Sequence, residues 1–327
     1  MIQAEGLTKR YGDRTAVNKL SFTARQGEIV GFLGPNGAGK TTTMRILTGY
    51  MPPSEGKATV AGYDLMTQSL EVRKRVGYLP ESVPLYPEMS VVQYLDFMAE
   101  LRRIPKREDR VDEVMEMVNI SSRATSYIGN LSKGLRQRVG LGQALLHKPE
   151  VLILDEPMDG LDPQQQIEVK RIIREVGSQQ TVLLSTHILA HAHELCNRVI
   201  IINNGQIVAE DTPDRLSSQI AGGGRIHLVV DGDGAGLADE LRRVPGVLAV
   251  RDGQDGQMEV EIGPGADVRP QLAGTVVKGG WQLLEMRRER LSLEEIFIQL
   301  TRDEEAGHAN GGAAKPGAPQ ADSEVRA

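Results

Sequence analysis

The stretch Gly34–Thr41, GPNGAGKT, constrains this chain more than any other part of it. It directly follows the apolar run Gly27–Leu33 (GEIVGFL) and leads into the helical pattern TTMRILTG. Glycines at this spacing let the backbone curl so that its N–H groups point inward, and the helix that follows presents its positive end to the same point. Lys40 adds a point charge, and the Thr41 hydroxyl can ligate Mg²⁺. A strand, this loop and a helix in that order predict a polyphosphate cradle rather than a plain glycine turn. The chain is therefore expected to fold around a parallel sheet whose strands end at such loops.

The surrounding sequence supports that expectation. Residues 1–220 alternate short β-branched runs with longer helical patterns, the sign of an α/β domain. Val151–Asp155 (VLILD) and Thr181–Ser185 (TVLLS) read as two further buried strands. Ser90–Leu101 reads as an amphipathic helix capped by Ser90, with Val91, Tyr94, Leu95 and Met98 on one face. The run VLILDEP ends in two acids. In a phosphate-loop fold, Asp155 would hold Mg²⁺, commonly through a water, and Glu156 would orient and polarise an attacking water. Gly222–Gly224 is expected to act as a flexible hinge. After it, residues 225–301 follow the order β-α-β-β-α-β of a ferredoxin-like domain, with a last helix over Leu293–Thr301. Residues 302–327 have almost nothing to bury and read as a disordered tail.

Composition excludes several classes. Lys and Arg number 38 against 44 Asp and Glu, a formal charge of −6, which argues against a nucleic-acid backbone as the main partner. No apolar run approaches the ~20 residues that cross a bilayer, and the opening MIQAEGLTKRYGDR has no signal-peptide core. The single Cys196 cannot form an internal disulfide and reads as a small buried side chain. His187, His191 and His193 cluster, but without the spacing of a helical zinc motif, and no metal role is assigned to the cluster. Arg102, Arg103, Lys106, Arg107 and Arg110 read as a solvated helix–loop face, with proximity to a membrane surface as the second reading, and the Met and Tyr residues along Tyr86–Met98 read as core.

A third motif, Leu131–Arg138 (LSKGLRQR), lies some way before VLILDEP. With it the chain resembles the ATP-binding subunits of ABC transporters, whose signature LSGGQ stands in this place. The resemblance covers residues 1 to about 218. The wording of GYLPE, LDEPMDGLDP, STHIL and the late SLEEIFIQLT is most similar to separate ATPase subunits of bacterial exporters, particularly the gliding-motility-associated group. The resemblance implies an α/β P-loop NTPase domain with an antiparallel β subdomain and a helical subdomain, followed by the small α+β domain. It implies ATP hydrolysis with ATP and Mg²⁺, a homodimer of such subunits, a separate transmembrane permease and a peripheral place on the cytoplasmic side of the inner membrane. Residue by residue, it gives Tyr11 the adenine-stacking position and makes Gly34, Asn36, Gly37, Gly39, Lys40, Thr41 and Thr42 the phosphate loop. Ser132 and Gly134 would reach the nucleotide held by a second subunit, Asp162 would lie at the dimer interface, and His187 would contact the γ-phosphate. Glu81 replaces the usual Gln after VGYLP, so a Mg²⁺ role for it stays open. Lys133 replaces a signature Gly and reads either as a substitute phosphate partner or as a solvated side chain. A soluble ATPase switch acting on a ribosome or DNA is the rival class. The chain lacks the paired cassettes or long coiled-coil insertions that such proteins carry. For the C-terminal domain, a small-molecule sensor and a dimerisation or permease-contact element are both open.

Overall fold

The computed structural model describes residues 1–219, 225–232, 234, 236–253, 256–263 and 267–289. The expected Gly222–Gly224 hinge, the helix over Leu293–Thr301 and the tail 302–327 lie outside the described residues.

The chain opens with β1 (Ile2–Tyr11), β2 (Arg14–Ala24), β3 (Ile29–Leu33), β4 (Glu55–Val60) and the short β5 (Tyr63–Asp64). Strands β1, β2, β4 and β5 form an antiparallel sheet in the order β2-β1-β4-β5. Strand β3 joins a second sheet with β6 (Val76–Leu79), β7 (Val151–Asp155), β8 (Thr181–Thr186), β9 (Arg198–Asn203) and β10 (Gln206–Asp211), in the order β10-β9-β3-β8-β7-β6. All neighbours in it are parallel except β9 and β10. Every residue of β3, β7 and β8 is buried. Such strands are covered on both faces, which is why they read in the sequence as unbroken apolar runs. Strand β3 starts at Ile29 rather than Gly27, because Arg25–Glu28 closes a turn through the Glu28 N–H and the Arg25 carbonyl.

Helices α1 (Lys40–Leu47), α2 (Ser69–Arg75), α6 (Pro163–Gly177) and α7 (Leu189–Leu195) connect these strands, and α8 (Pro213–Gln219) follows β10. Between β6 and β7, α3 (Val91–Leu101), α4 (Arg107–Met117) and α5 (Lys133–Leu145) make up a helical part around Tyr94, Leu95, Val114 and Val139. Ser90 caps α3 as expected, in a capping box with Gln93 worth about 1 kcal/mol. Tyr94 keeps its hydroxyl satisfied inside this core by donating to Gln143 Oε1 at 2.6 Å. Two expectations are corrected here. Tyr86 is exposed rather than core and lies edge-on to Tyr94, ring centroids 5.9 Å apart. Arg110 is buried rather than solvated. Its guanidinium donates to the Leu145 and Leu146 carbonyls at 2.6 and 2.8 Å and pairs with Glu113, so the charge caps the end of α5.

The described C-terminal residues form β11 (Arg225–Val230), α9 (Leu237–Arg242), β12 (Val247–Asp252), β13 (Gln257–Ile262), α10 (Arg269–Lys278) and β14 (Leu283–Glu289). The order β-α-β-β-α-β matches the sequence reading. The sheet is antiparallel, ordered β12-β13-β11-β14, with its own core of Ile226, Leu228, Leu237, Val260 and Leu272.

Candidate functional site

Register decides where the chemistry gathers. Leu33 of β3 lies opposite Thr186 of β8, and Asp155 of β7 lies opposite Ser185. Because these strands are parallel, their carboxyl ends share one edge, where ligands bind in open α/β sheets. A cavity of about 610 Å³ opens there. Its walls are the β1–β2 hairpin (Tyr11, Arg14), the loop (Asn36, Gly37, Gly39–Thr42), Glu81 after β6, Glu156, Asp159 and His187.

The loop admits glycine alone at two decisive points. Gly39 has φ 108°, and a Cβ there would fall 2.5 Å from the Ala16 carbonyl oxygen. A Cβ on Gly34 would fall 2.3 Å from the Ile202 carbonyl oxygen. Gly39 also gives α1 no side-chain cap, so the first-turn N–H groups are left for an anion. Lys40 is buried and turned into its own loop. Its Nζ donates to the Gly34 and Pro35 carbonyls at 2.7 and 3.2 Å and lies 3.4 Å from Glu156 Oε1.

The two acids differ sharply in setting. Asp155 is fully buried behind the cavity wall; its Oδ1 accepts from Ser185 Oγ at 2.6 Å, and its Oδ2 is buried with no partner. Glu156 has φ 48°, a left-handed conformation that costs a non-glycine residue about 1–2 kcal/mol. That bend brings its Oε2 to 3.0 Å from His187 Nδ1 and its Oε1 to Lys40. Its N–H donates to Ser185 Oγ at 2.9 Å. Thr41, Asp155 and Glu81 offer hard oxygen donors, and the partnerless Asp155 Oδ2 fits a cation or its water. Magnesium usually takes only one or two carboxylates and keeps its waters, which suits a sparse donor set.

Ser132, Gly134 and Asp162 do not line this cavity. Ser132 caps α5 by accepting from the Leu135 N–H, and Asp162 caps α6 by accepting from the Gln165 N–H at 2.9 Å. The Gln165 side chain covers Gly134, where a Cβ would meet its Oε1 at 2.1 Å. The three therefore form a patch of their own. Lys133 joins that patch to the cavity wall through an ion pair with Asp159 at 3.2 Å. The histidines go separate ways, with His191 against Gln166 and His193 against Asp214. Cys196 is buried, and burial pushes its thiol up to about 12. Sequence reasoning missed Arg14, Asp159 and Ser185. Ser185 had a signal, as the hydroxyl that ends the apolar run VLL two residues before His187, whereas Arg14 had only its nearness to Tyr11.

The family described as ABC transporter matches residues 17–159. The linearmycin resistance ATP-binding protein LnrL of Bacillus subtilis (strain 168) is 32% identical over 308 residues, covering 92% of this chain and 98% of the relative. The bacitracin transport ATP-binding protein BcrA of Bacillus licheniformis is 37% identical over 310 residues, covering 92% and 97%. The daunorubicin resistance ATP-binding protein DrrA3 of Streptomyces coeruleorubidus is 34% identical over 310 residues, covering 93% and 96%. Among solved structures, an ATP-binding subunit of an ABC transporter is 30% identical with a TM-score of 0.62, covering 68% of this chain and 93% of that one. An ATP-binding cassette solved as a dimer with ADP and phosphate has a TM-score of 0.60, covering 65% of this chain and 99% of that one; at 22% identity it shares the fold.

Proposed function

The chain belongs to the ATP-binding subunits of ABC transporters, and on that premise we propose that it powers an exporter through a separately encoded transmembrane permease and a second ATP-binding subunit. The reaction is ATP + H₂O → ADP + phosphate, coupled to transport. The observation that carries the reading is the meeting of Lys40, Glu156 and His187 at one end of the parallel sheet, beside the glycine loop. Export of a drug or peptide follows the names of the relatives, which act in linearmycin and daunorubicin resistance and in bacitracin transport. Affiliation with gliding-motility exporters rests on motif wording alone.

In this reading Tyr11 stacks on adenine, and Gly34, Asn36, Gly37, Gly39, Thr41 and Thr42 wrap the phosphates. Lys40 exchanges its Gly34 and Pro35 carbonyl partners for phosphate oxygens, which loosens its hold on Glu156. Glu156 then orients the attacking water, while His187 holds the other carboxylate oxygen and faces the γ-phosphate. Thr41 and Asp155, with Glu81 nearby, would hold Mg²⁺, which neutralises charge developing on the phosphates. Ser132 and Asp162 are exposed and stand apart from the cavity of their own chain, which suits contact with the nucleotide of a second copy, and Gly134 would join that contact once the Gln165 side chain moves off it. ATP would bridge the two subunits and its hydrolysis would release them, a two-state element biased by one contact. No helix among the described residues is long and apolar enough to cross a membrane; the place proposed for the chain is peripheral, on the cytoplasmic side of the inner membrane.

Glu156→Gln tests the assignment. It should lower ATP turnover by roughly 10²–10⁴-fold and leave a stable dimer in ATP on size-exclusion chromatography. Turnover within threefold of the unsubstituted chain removes Glu156 from this role.

A further inference from the structure

We propose that Ser185 is a positioning residue for ATP hydrolysis, its hydroxyl aiming both acids at the end of β7. The inference rests on the ATPase reading above. Strand β8 is fully buried, and a hydroxyl in such a place is costly unless both its donor and its acceptor are used. Here both are used, and both on the acids of the candidate site. Ser185 donates to Asp155 Oδ1 at 2.6 Å and accepts from the Glu156 N–H at 2.9 Å. Parallel register places Ser185 directly opposite Asp155, so the contact is built into the strand pairing.

The two bonds do different work. The first fixes the Asp155 carboxylate with its partnerless Oδ2 left available. It is also the one hydrogen bond to this buried carboxylate in the described structure. The second secures the left-handed turn at Glu156, φ 48°, which delivers the carboxylate to Lys40 and His187. His187 follows two residues later, so the end of β8 holds Glu156 twice, by main chain through Ser185 and by side chain through His187. A plain packing role would need none of this polarity.

The test compares Ser185→Ala, Ser185→Cys and Ser185→Thr in the full chain. Steady-state ATP kinetics with Mg²⁺ are read beside binding of a fluorescent ATP analogue in EDTA and thermal melting. Ser185→Ala should lose ten- to a hundredfold in kcat while KM and affinity in EDTA stay within threefold, because the phosphate loop is untouched. Ser185→Thr, which keeps the hydroxyl, should recover most of kcat, and Ser185→Cys, a close fit with a weak hydrogen-bonding group, should fall between. A folded Ser185→Ala with kcat within twofold of the unsubstituted chain overturns the inference. So does a series in which kcat follows melting temperature and EDTA affinity rather than hydrogen-bonding capacity. If the unsubstituted chain hydrolyses no ATP, the ATPase reading fails instead.

Discussion

The six-stranded sheet and the C-terminal sheet are made from similar β-branched runs, yet they dispose of their charges in opposite ways. In the first, β3, β7 and β8 run parallel, so the loops that leave them emerge at one edge. Glu156 is thereby brought within hydrogen-bonding or ion-pair reach of both Lys40 and His187. In the second, β11, β12, β13 and β14 pair antiparallel, so the loops that leave neighbouring strands emerge at opposite ends of the sheet. Its charges lie across the sheet instead, as Arg225 and Arg251 beside Glu259 at 3.2 and 3.8 Å. Half-exposed pairs of this kind stabilise by about 0–1 kcal/mol. Parallel pairing concentrates chemistry, whereas antiparallel pairing spreads it over a face.

Three experiments can break or sharpen this contrast. The largest effect should come from Leu228→Ala in the core of the C-terminal sheet. Removing that fully buried side chain should cost about 2–4 kcal/mol, read as an earlier melting transition in calorimetry, with ATP turnover kept within twofold. Turnover that collapses together with that transition would show the two sheets to be energetically one.

A smaller effect belongs to His147, below the edge strand β6. Burial, reinforced by the Arg102 charge, lowers its imidazole from the ordinary 6.5 to about 4, against the pull of the Val76 carbonyl 3.1 Å away. With its folded value depressed, the neutral ring contributes stability that is fully present above pH 6.5 and is lost as pH falls toward 4. The loss should be on the order of 3 kcal/mol by urea titration, and His147→Gln should flatten the dependence. An unchanged slope in that variant would assign the acid sensitivity elsewhere.

The smallest effect is expected at Arg14. It lines the cavity with its guanidinium near Gly37, while Lys40 is already engaged by carbonyls and by Glu156. Arg14→Ala should raise KM for ATP roughly three- to tenfold, about 1 kcal/mol, and weaken its salt dependence. An unaltered KM would mean that the hairpin wall does not read the phosphates.

The legible part of the site was local. GPNGAGKT sits in one turn, and its geometry follows from glycine and from the strand and helix around it. VLILDEP and TVLLS were legible for the same reason, since strands covered on both faces must be apolar until they end. Ser185 was visible as the hydroxyl that ends the run TVLLS, but its partners were not, because they depend on which strand lies beside β8 and in what register. Arg110 was misread, since a charge run looks solvated until a neighbouring helix end offers carbonyls to cap. Tyr86 was misread for the converse reason: its aromatic ring looked like core, yet it rests on the outside of Tyr94.

By itself, then, the sequence determined the glycine loop between a strand and a helix, the strand end that carries two acids, the β-α-β-β-α-β order of the C-terminal residues and the family. These follow from periodicity and from turns in which neighbouring residues decide the outcome. Only the tertiary structure decided that Lys40 is held by Glu156, that one serine serves both acids, and that Ser132, Gly134 and Asp162 stand on a patch outside the cavity. Those contacts join residues far apart in the chain, and strand register and helix packing bring them together.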